Sequence, residues 1–373
     1  MLRARLSDAE FFWETDKKSS LESRLSALEN VLYHKKLGSM ANKVVRLEQI
    51  AQDVAKLIDA DPAVSARGAK LAKADLTSNM VGEFSDLQGI IGRYYAQNDD
   101  EPEIVAQCIE QHYWPKSATS ELPENKESIA VSLADKLDSL VGIFSAGEIP
   151  TGDKDPHALR RAALGILRMS TSPTTNQNEL KLSELIRIAA KAYESQDITI
   201  PADTQKAITE FIQSRYKAYY QETYETSLIN AASASGMDCP ADFDSRLKAL
   251  SVFVALPESS DLAAANKRIA NILKKVDDTT TLAGDVDISL IEKGAEHELL
   301  EQITELEPKV NTLFNDHEYE QGLQQLAALR DPIDAFFDNV MVMAEDDAIK
   351  TNRLKLLQKI QHLFLRVADI SVL

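Results

Sequence analysis

Apolar residues recur three and four positions apart along nearly the whole chain, a spacing that favours helices over strands. Leu21, Leu25, Leu28, Val31, Leu32 and Leu37 form one stripe broken at Gly38. Val44, Leu47, Ile50, Val54 and Leu57 form a second that stops at Asp61-Pro62. The same pattern predicts helices over 66–84, 87–97, 101–113 and 128–146, with a polar loop over 115–126. After a turn at 147–155, Asp155 is placed to cap a helix with Pro156 in its first position, running through Met169. Residues 170–178 are rich in Ser, Thr, Pro and Asn and form the expected hinge. Helices follow over 180–195, 201–236, 240–256, 261–276, 287–314, 318–337 and 346–367, the 201–236 span concealing a break. No strand alternation interrupts the first half and no solenoid period repeats, so an all-α fold of packed bundles is expected.

The length of 373 residues is about twice that of one domain, which predicts two or three domains. Apolar residues at 44% and charged residues at 27% fit a packed protein and exclude a disordered one. Two cysteines exclude a disulfide framework and point to a reducing compartment. No apolar run is long enough to span a bilayer, and the N-terminus lacks the apolar core of a signal peptide. A cytoplasmic location with no membrane partner is the expectation. Residues 1–20 read as the end of an upstream region, with Phe11-Phe12-Trp13 an aromatic anchor in need of a surface. The alternative is an N-terminal segment docked on its own core.

A net charge of -18 argues against general nucleic-acid binding, which favours a basic surface. The acid is unevenly spread, however: nine acidic residues and two lysines lie between Glu292 and Glu320. Three helices run against the average. In 346–367, Asn352, Lys355, Lys359, His362 and Arg366 recur at helical spacing as a stripe about 20 Å long, opposite Ile349, Leu356, Ile360, Leu363 and Val367. In 261–276, Lys267, Arg268, Asn271, Lys274 and Lys275 face away from Leu262, Ala265, Ile269 and Leu273. In 155–169, Arg161 and Arg168 lie two turns apart beside Arg160. Such stripes can track a phosphate backbone; they can also be solvated faces or snorkelling side chains.

Catalytic signatures are sparse. No two of the six histidines pair at helical spacing, no Cys-x-x-Cys occurs, and no Gly-rich phosphate loop is present. The chain alone is expected to be catalytically inactive and to hold no cofactor or metal.

Longer segments carry a resemblance. They include Leu6-Ser7-Asp8-Ala9-Glu10-Phe11-Phe12, Met80-Val81-Gly82-Glu83-Phe84, Gln88-Gly89-Ile90-Ile91-Gly92, and Lys154-Asp155-Pro156-His157-Ala158-Leu159-Arg160-Arg161. Leu329-Arg330-Asp331-Pro332-Ile333-Asp334 and Phe364-Leu365-Arg366-Val367-Ala368-Asp369 continue the series. In this order they resemble the C-terminal half, or slightly more, of the beta subunit of bacterial-type glycyl-tRNA synthetase.

The resemblance implies an HD-like helical domain, a helical linker and a DALR-type anticodon-binding helical bundle. The expected limits are 1–20 for the end of a truncated upstream region, 21–170 for the HD-like domain, 171–240 for the linker and 241–373 for the bundle. It also implies glycine tRNA and a synthetase alpha subunit as partners, in an α2β2 assembly when full-length. ATP and Mg would sit on the alpha subunit. Arg268 and Arg353 become the leading RNA contacts, followed by Asn266, Lys267 and Asn352; Asn271, Lys274, Lys355, Lys359, Arg366, Arg160 and Arg161 complete the set. Arg330 is either a contact or an internal ion-pair partner.

A working HD site needs histidines that this sequence lacks. Lys43 and Ala74 stand where two of them belong, leaving Asp75 and Asp135. The resemblance therefore implies a vestigial site in which Lys43 replaces a metal by pairing with Asp75 or Asp135. Three functions stay open at this point. They are a tRNA-holding portion of a two-subunit ligase, an HD-type metal-dependent phosphohydrolase, and a structural scaffold. Whether the chain is an excised fragment or a short natural form is equally open.

Overall fold

The computed structural model describes residues 2–152, 154–175, 180–276 and 282–373. The fold is almost entirely helical and divides into two compact units, Met1–Tyr219 with Asp238–Ala241, and Tyr220–Met237 with Asp242–Leu373.

In the first unit, helix α1 (Leu2–Asp16) leads to a small hairpin of β1 (Leu32–His34) and β2 (Gly38–Ser39). The helices α2 (Met40–Leu57), α3 (Pro62–Leu71), α4 (Asn79–Glu83), α5 (Ile90–Asn98) and α6 (Glu103–Gln111) follow. The unit continues with α7 (Lys126–Ser145), α8 (Leu159–Ser170), α9 (Leu182–Glu194) and α10 (Ala202–Tyr220, its last residue belonging to the second unit). Helix α7 is the axis: it packs against α2, α3, α6, α8 and α9, and fifteen of its twenty residues are buried. Buried residues lie around most of its circumference, as an enclosed helix requires. Each of Leu133, Leu137 and Leu140, with no exposed surface, contributes about 1.5–3 kcal/mol by burial.

The N-terminal residues dock on this unit's own core. Trp13 stacks on Tyr95 with ring centroids 5.2 Å apart, whereas Phe11 is 65% exposed. Asp16 is buried and accepts the amides of Asn79 (3.1 Å) and Met80 (2.9 Å), so the end of α1 caps the start of α4.

Several expected helices are corrected. The 21–37 stripe is not one helix: a 3-10 turn over Glu22–Asn30 gives way to the hairpin, which Gly38 closes at φ +87. Ser39 then opens α2 with a capping box shared with Asn42. The 66–84 span breaks at a 3-10 turn, Ala74–Thr77, that lays Asp75 into the core. Helix α8 begins at Leu159 and not at Pro156, with Ala158 in the left-handed region; Asp155 still caps it, accepting the amides of Leu159 (2.8 Å) and Arg160 (2.9 Å). Within the expected hinge, Thr175 Oγ1 donates to Ser172 O at 3.0 Å, while 176–178 lie outside the described residues.

The second unit contains α11 (Thr226–Ser233), α12 (Pro240–Phe253, its first two residues belonging to the first unit) and α13 (Ser259–Leu273). The break expected within 201–236 therefore falls between α10 and α11. Then come α14 (Ala295–Asn315), α15 (Tyr319–Leu326), α16 (Arg330–Asn339) and α17 (Asp347–Leu365). Helix α13 packs on α16 and α17, and α14 packs on α15, α16 and α17. Phe253, Phe314, Phe336 and Phe364 are buried between them. Gly294, at φ +107, turns the chain into α14, so the helix expected from 287 starts eight residues later.

Candidate nucleic-acid interface and a buried charge cluster

Helix α13 separates cleanly into two faces. Leu262, Ala265, Asn266 and Ile269 are buried; Lys267, Arg268, Asn271 and Lys274 are exposed. The Arg268 guanidinium lies 4.0 Å above the ring centroid of Phe337 on α16, a cation–π stack that holds the planar group against the surface. Asn266 does not share that face. It is buried, and its amide donates to Leu262 O at 3.0 Å one turn back. Arg330 serves as an ion-pair partner, 2.7 Å from Asp261 and within 4 Å of Asp331 and Asp334.

On α17 the expected stripe splits. Asn352 and Arg353 follow Ile349 by three and four residues and precede Leu356 by four and three, which turns both onto the buried face. The Asn352 carboxamide accepts Asp287 N (2.7 Å) and donates to Asp287 O (2.9 Å), pinning the turn before α14. Arg353, 4% exposed, reaches Glu296 and Glu292 at 3.0 Å and donates to Met341 O at 3.0 Å. The placement of Asn352, Arg353 and Asn266 on an outer RNA-facing surface is therefore corrected: all three are committed to the interior.

The remaining members of that stripe line a cleft of about 290 Å³. Lys355, Lys359, His362 and Arg366 face Asn311 and Glu307 across it. Lys359 Nζ pairs with Glu307 at 2.7 Å, Lys355 Nζ donates to Asp285 O, and Arg366 donates to Asn311 (2.6 Å) and Asn315 (2.8 Å). In the first unit, Arg160 donates to Gly152 O and Arg161 is exposed on α8. Phe337, the ring that seats Arg268, was not singled out from sequence. Its adjacency to the buried Phe336 marks it only as part of an apolar edge.

The vestigial positions meet in the first unit, where four buried cations face three carboxylates. Lys43 Nζ is 3.2 Å from Asp135 Oδ1 and 2.8 Å from Asp138 Oδ2. Arg46 Nε donates to Asp138 Oδ1 at 2.6 Å. Lys73 Nζ is 3.2 Å from the same Asp135 oxygen and donates to His112 Nε2 at 2.8 Å. Lys136 donates to Trp114 O and Ser132 Oγ, both at 2.8 Å. Burial works against the Lys43 ammonium, but Asp135 and Asp138 overcome it and hold the group above the ordinary lysine range. Burial likewise opposes the Asp135 carboxylate, and Lys43 and Lys73 hold it well below the carboxylate range. Lys136, buried with less compensation from Asp135, is pushed down to about 7.

Asp75 belongs to this neighbourhood but behaves differently. Its Oδ2 accepts the Gly89 amide at 2.6 Å, and its Oδ1 has no hydrogen-bond partner among the described residues. Burial, offset only in part by that amide and by Lys73, raises its carboxyl to about 6. Below about pH 4 the folded and unfolded chains both keep this proton. Between there and pH 6 the unfolded chain releases it and the folded chain does not, so stability falls as pH rises and the full cost stands above pH 6. Asp75→Asn is expected to gain on the wild type by about 3 kcal/mol between pH 4 and 7, read by urea unfolding. A pH-independent difference would show that Asp75 titrates at the ordinary carboxylate pH.

The metal of an HD-type site does not fit this donor set. Ala74 offers no donor, and two ammonium groups, those of Lys43 and Lys73, lie 3.2 Å from the Asp135 Oδ1 oxygen. Among the described residues no three His, Cys, Asp or Glu side chains are grouped to hold a metal ion, and no helix is long and apolar enough to cross a membrane.

A family profile described as glycyl-tRNA synthetase beta subunit matches residues 1–234, and one described as DALR anticodon binding domain matches 262–370. The chain is 46% identical over 373 residues to the glycine–tRNA ligase beta subunit of Neisseria meningitidis serogroup C, and the match takes in 100% of this chain. The chain belongs to the glycyl-tRNA synthetase beta-subunit family. Matching beta subunits of Psychromonas ingrahamii (46% over 375 residues) and Shewanella sediminis (45% over 375 residues) also take in the whole chain. The chain spans 53% of the length of these relatives, about half. The buried charge cluster lies within the synthetase match, and both basic faces of the second unit lie within the DALR match.

Proposed function

We propose that the chain is a non-catalytic, tRNA-holding portion of a glycine–tRNA ligase. In this reading it binds glycine tRNA, and ATP-dependent aminoacylation takes place on a separate alpha subunit. The observation that carries the reading is the exposed face of α13, where Arg268 is seated on Phe337 between Lys267, Asn271 and Lys274, inside the region matched by an anticodon-binding domain.

The chemistry of that face suits an RNA loop. A guanidinium anchored over an aromatic ring offers a planar group on which an unstacked base can lie, and Asn271 supplies both a donor and an acceptor for a base edge. Lys267 and Lys274 neutralise phosphates, which positions the strand without reading its sequence. Lys355, Lys359 and Arg366 around the cleft beside α17 extend the cationic surface, and Arg160 and Arg161 supply a further one on the first unit.

The contribution to aminoacylation is positional. Binding the anticodon end raises the effective concentration of the acceptor end at the partner's site, and orientation lowers the barrier without a reacting group from this chain. Equilibrium binding to glycine tRNA and to an anticodon-substituted copy, at one salt concentration, tests the reading directly.

A further inference from the structure

The charge cluster of the first unit brings together two groups of the kind that bind cations, His112 and Asp135, and sets lysine ammonium groups against both. His112 Nδ1 donates to Ile109 O at 2.6 Å, which leaves the Nε2 lone pair directed at Lys73 Nζ, 2.8 Å away. A backbone carbonyl orienting an imidazole in this way is the usual support behind a metal-bound histidine. Lys73 Nζ and Lys43 Nζ both lie 3.2 Å from the same oxygen, Asp135 Oδ1. Both lysines, His112 and Asp138 are buried, and the stems arrive from α2, the end of α3, the end of α6 and α7.

We infer that the paired ammonium groups of Lys43 and Lys73 stand in for a divalent cation. Two tethered single charges meet one carboxylate and one imidazole where a bound ion of charge two would otherwise be required. The stand-in is built into the chain, so it costs no capture of free metal and cannot be removed by a chelator. Cation–π contacts complete the arrangement: Lys73 lies 4.1 Å from the Tyr113 ring centroid and Lys43 lies 4.6 Å from that of Tyr33.

The inference predicts which side chains keep a metal out. In the full chain, the double variant Lys43→Met, Lys73→His removes both ammonium groups and gives His112 and Asp135 a third donor, a set suited to first-row divalent ions. With Co²⁺ as probe, that variant is expected to develop a visible d–d absorption band. Its Tm should rise by about 5–10 °C at a hundredfold excess over the dissociation constant. Lys73→His alone keeps Lys43 on Asp135 and is expected to bind Co²⁺ at least about tenfold more weakly, because an ammonium next to the ion opposes it. Wild-type Tm is expected to be the same in excess Co²⁺ and in excess chelator.

Two results would overturn the inference. One is a wild-type Tm that falls in chelator and recovers with Co²⁺, since the lysines would then not have replaced a metal. The other is a double variant that is folded by circular dichroism and takes up no Co²⁺. The wild-type arm needs no variant, so it stands even if the double variant does not fold.

Discussion

Replacing Asp138 by alanine is expected to destabilise the first unit by about 3–5 kcal/mol, a large part of the 5–15 kcal/mol that separates most folded domains from their unfolded chains. Asp138 has no exposed surface, and its two oxygens hold Lys43 at 2.8 Å and Arg46 at 2.6 Å. Lys43 would retain Asp135, but Arg46, fully buried, would retain only uncharged partners among the described residues, Leu37 O and Gln196 Oε1. A guanidinium left in that state cannot shed its proton, so the cost falls on folding. Asp138→Asn keeps the shape and one acceptor and is expected to cost less. Denaturant unfolding of both variants measures the effect, and a loss below about 1 kcal/mol for the alanine variant would show that the ion network does not order this core.

Arg353 and Arg268 are expected to respond in opposite ways. Arg353→Met should lower the stability of the second unit by about 3 kcal/mol or more, because the buried Glu296, 1% exposed, would lose the guanidinium that satisfies it. Below its melting transition this variant should bind glycine tRNA within about twofold of the wild type, a change under about 0.5 kcal/mol. Arg268→Ala should change stability by less than about 0.5 kcal/mol and weaken tRNA binding about 5- to 100-fold, the equivalent of about 1–3 kcal/mol for one stacked base. Thermal unfolding alongside equilibrium binding separates the two. A folded Arg353→Met protein with tRNA affinity lowered tenfold or more would return Arg353 to the binding surface.

Much of this fold is legible in the apolar spacing. The interior stripe Leu262, Ala265 and Ile269 fixes the orientation of α13 and places Lys267, Arg268, Asn271 and Lys274 outside before any coordinates are seen. The same spacing misleads over 21–37, where Leu21, Leu25 and Leu28 satisfy a helical pattern but a 3-10 turn and a hairpin bury Leu21 and Leu28 equally well. Periodicity records which residues go inside and not which short-range hydrogen bonds carry them there.

Charged interior residues leave no such mark in the apolar spacing. The polar stripe assigns Asn352 to the solvent and the family resemblance makes Arg353 an RNA contact, although the offsets of both from Ile349 and Leu356 place them inward. Lys136 and Asp138 carry the same lesson. Helix α7 is enclosed over most of its surface, so both are buried and satisfied internally. Lys73, His112 and Arg46 complete their surroundings from three other segments of the chain. Spacing along a single helix holds no trace of that convergence.

The most direct test of the central claim is equilibrium binding of the 373-residue chain to glycine tRNA and to a copy with a substituted anticodon, at the same salt concentration. Tighter binding to the tRNA with the glycine anticodon is expected, with the preference lost in Arg268→Ala. Equal binding to the two RNAs, or no binding to either, would contradict the claim.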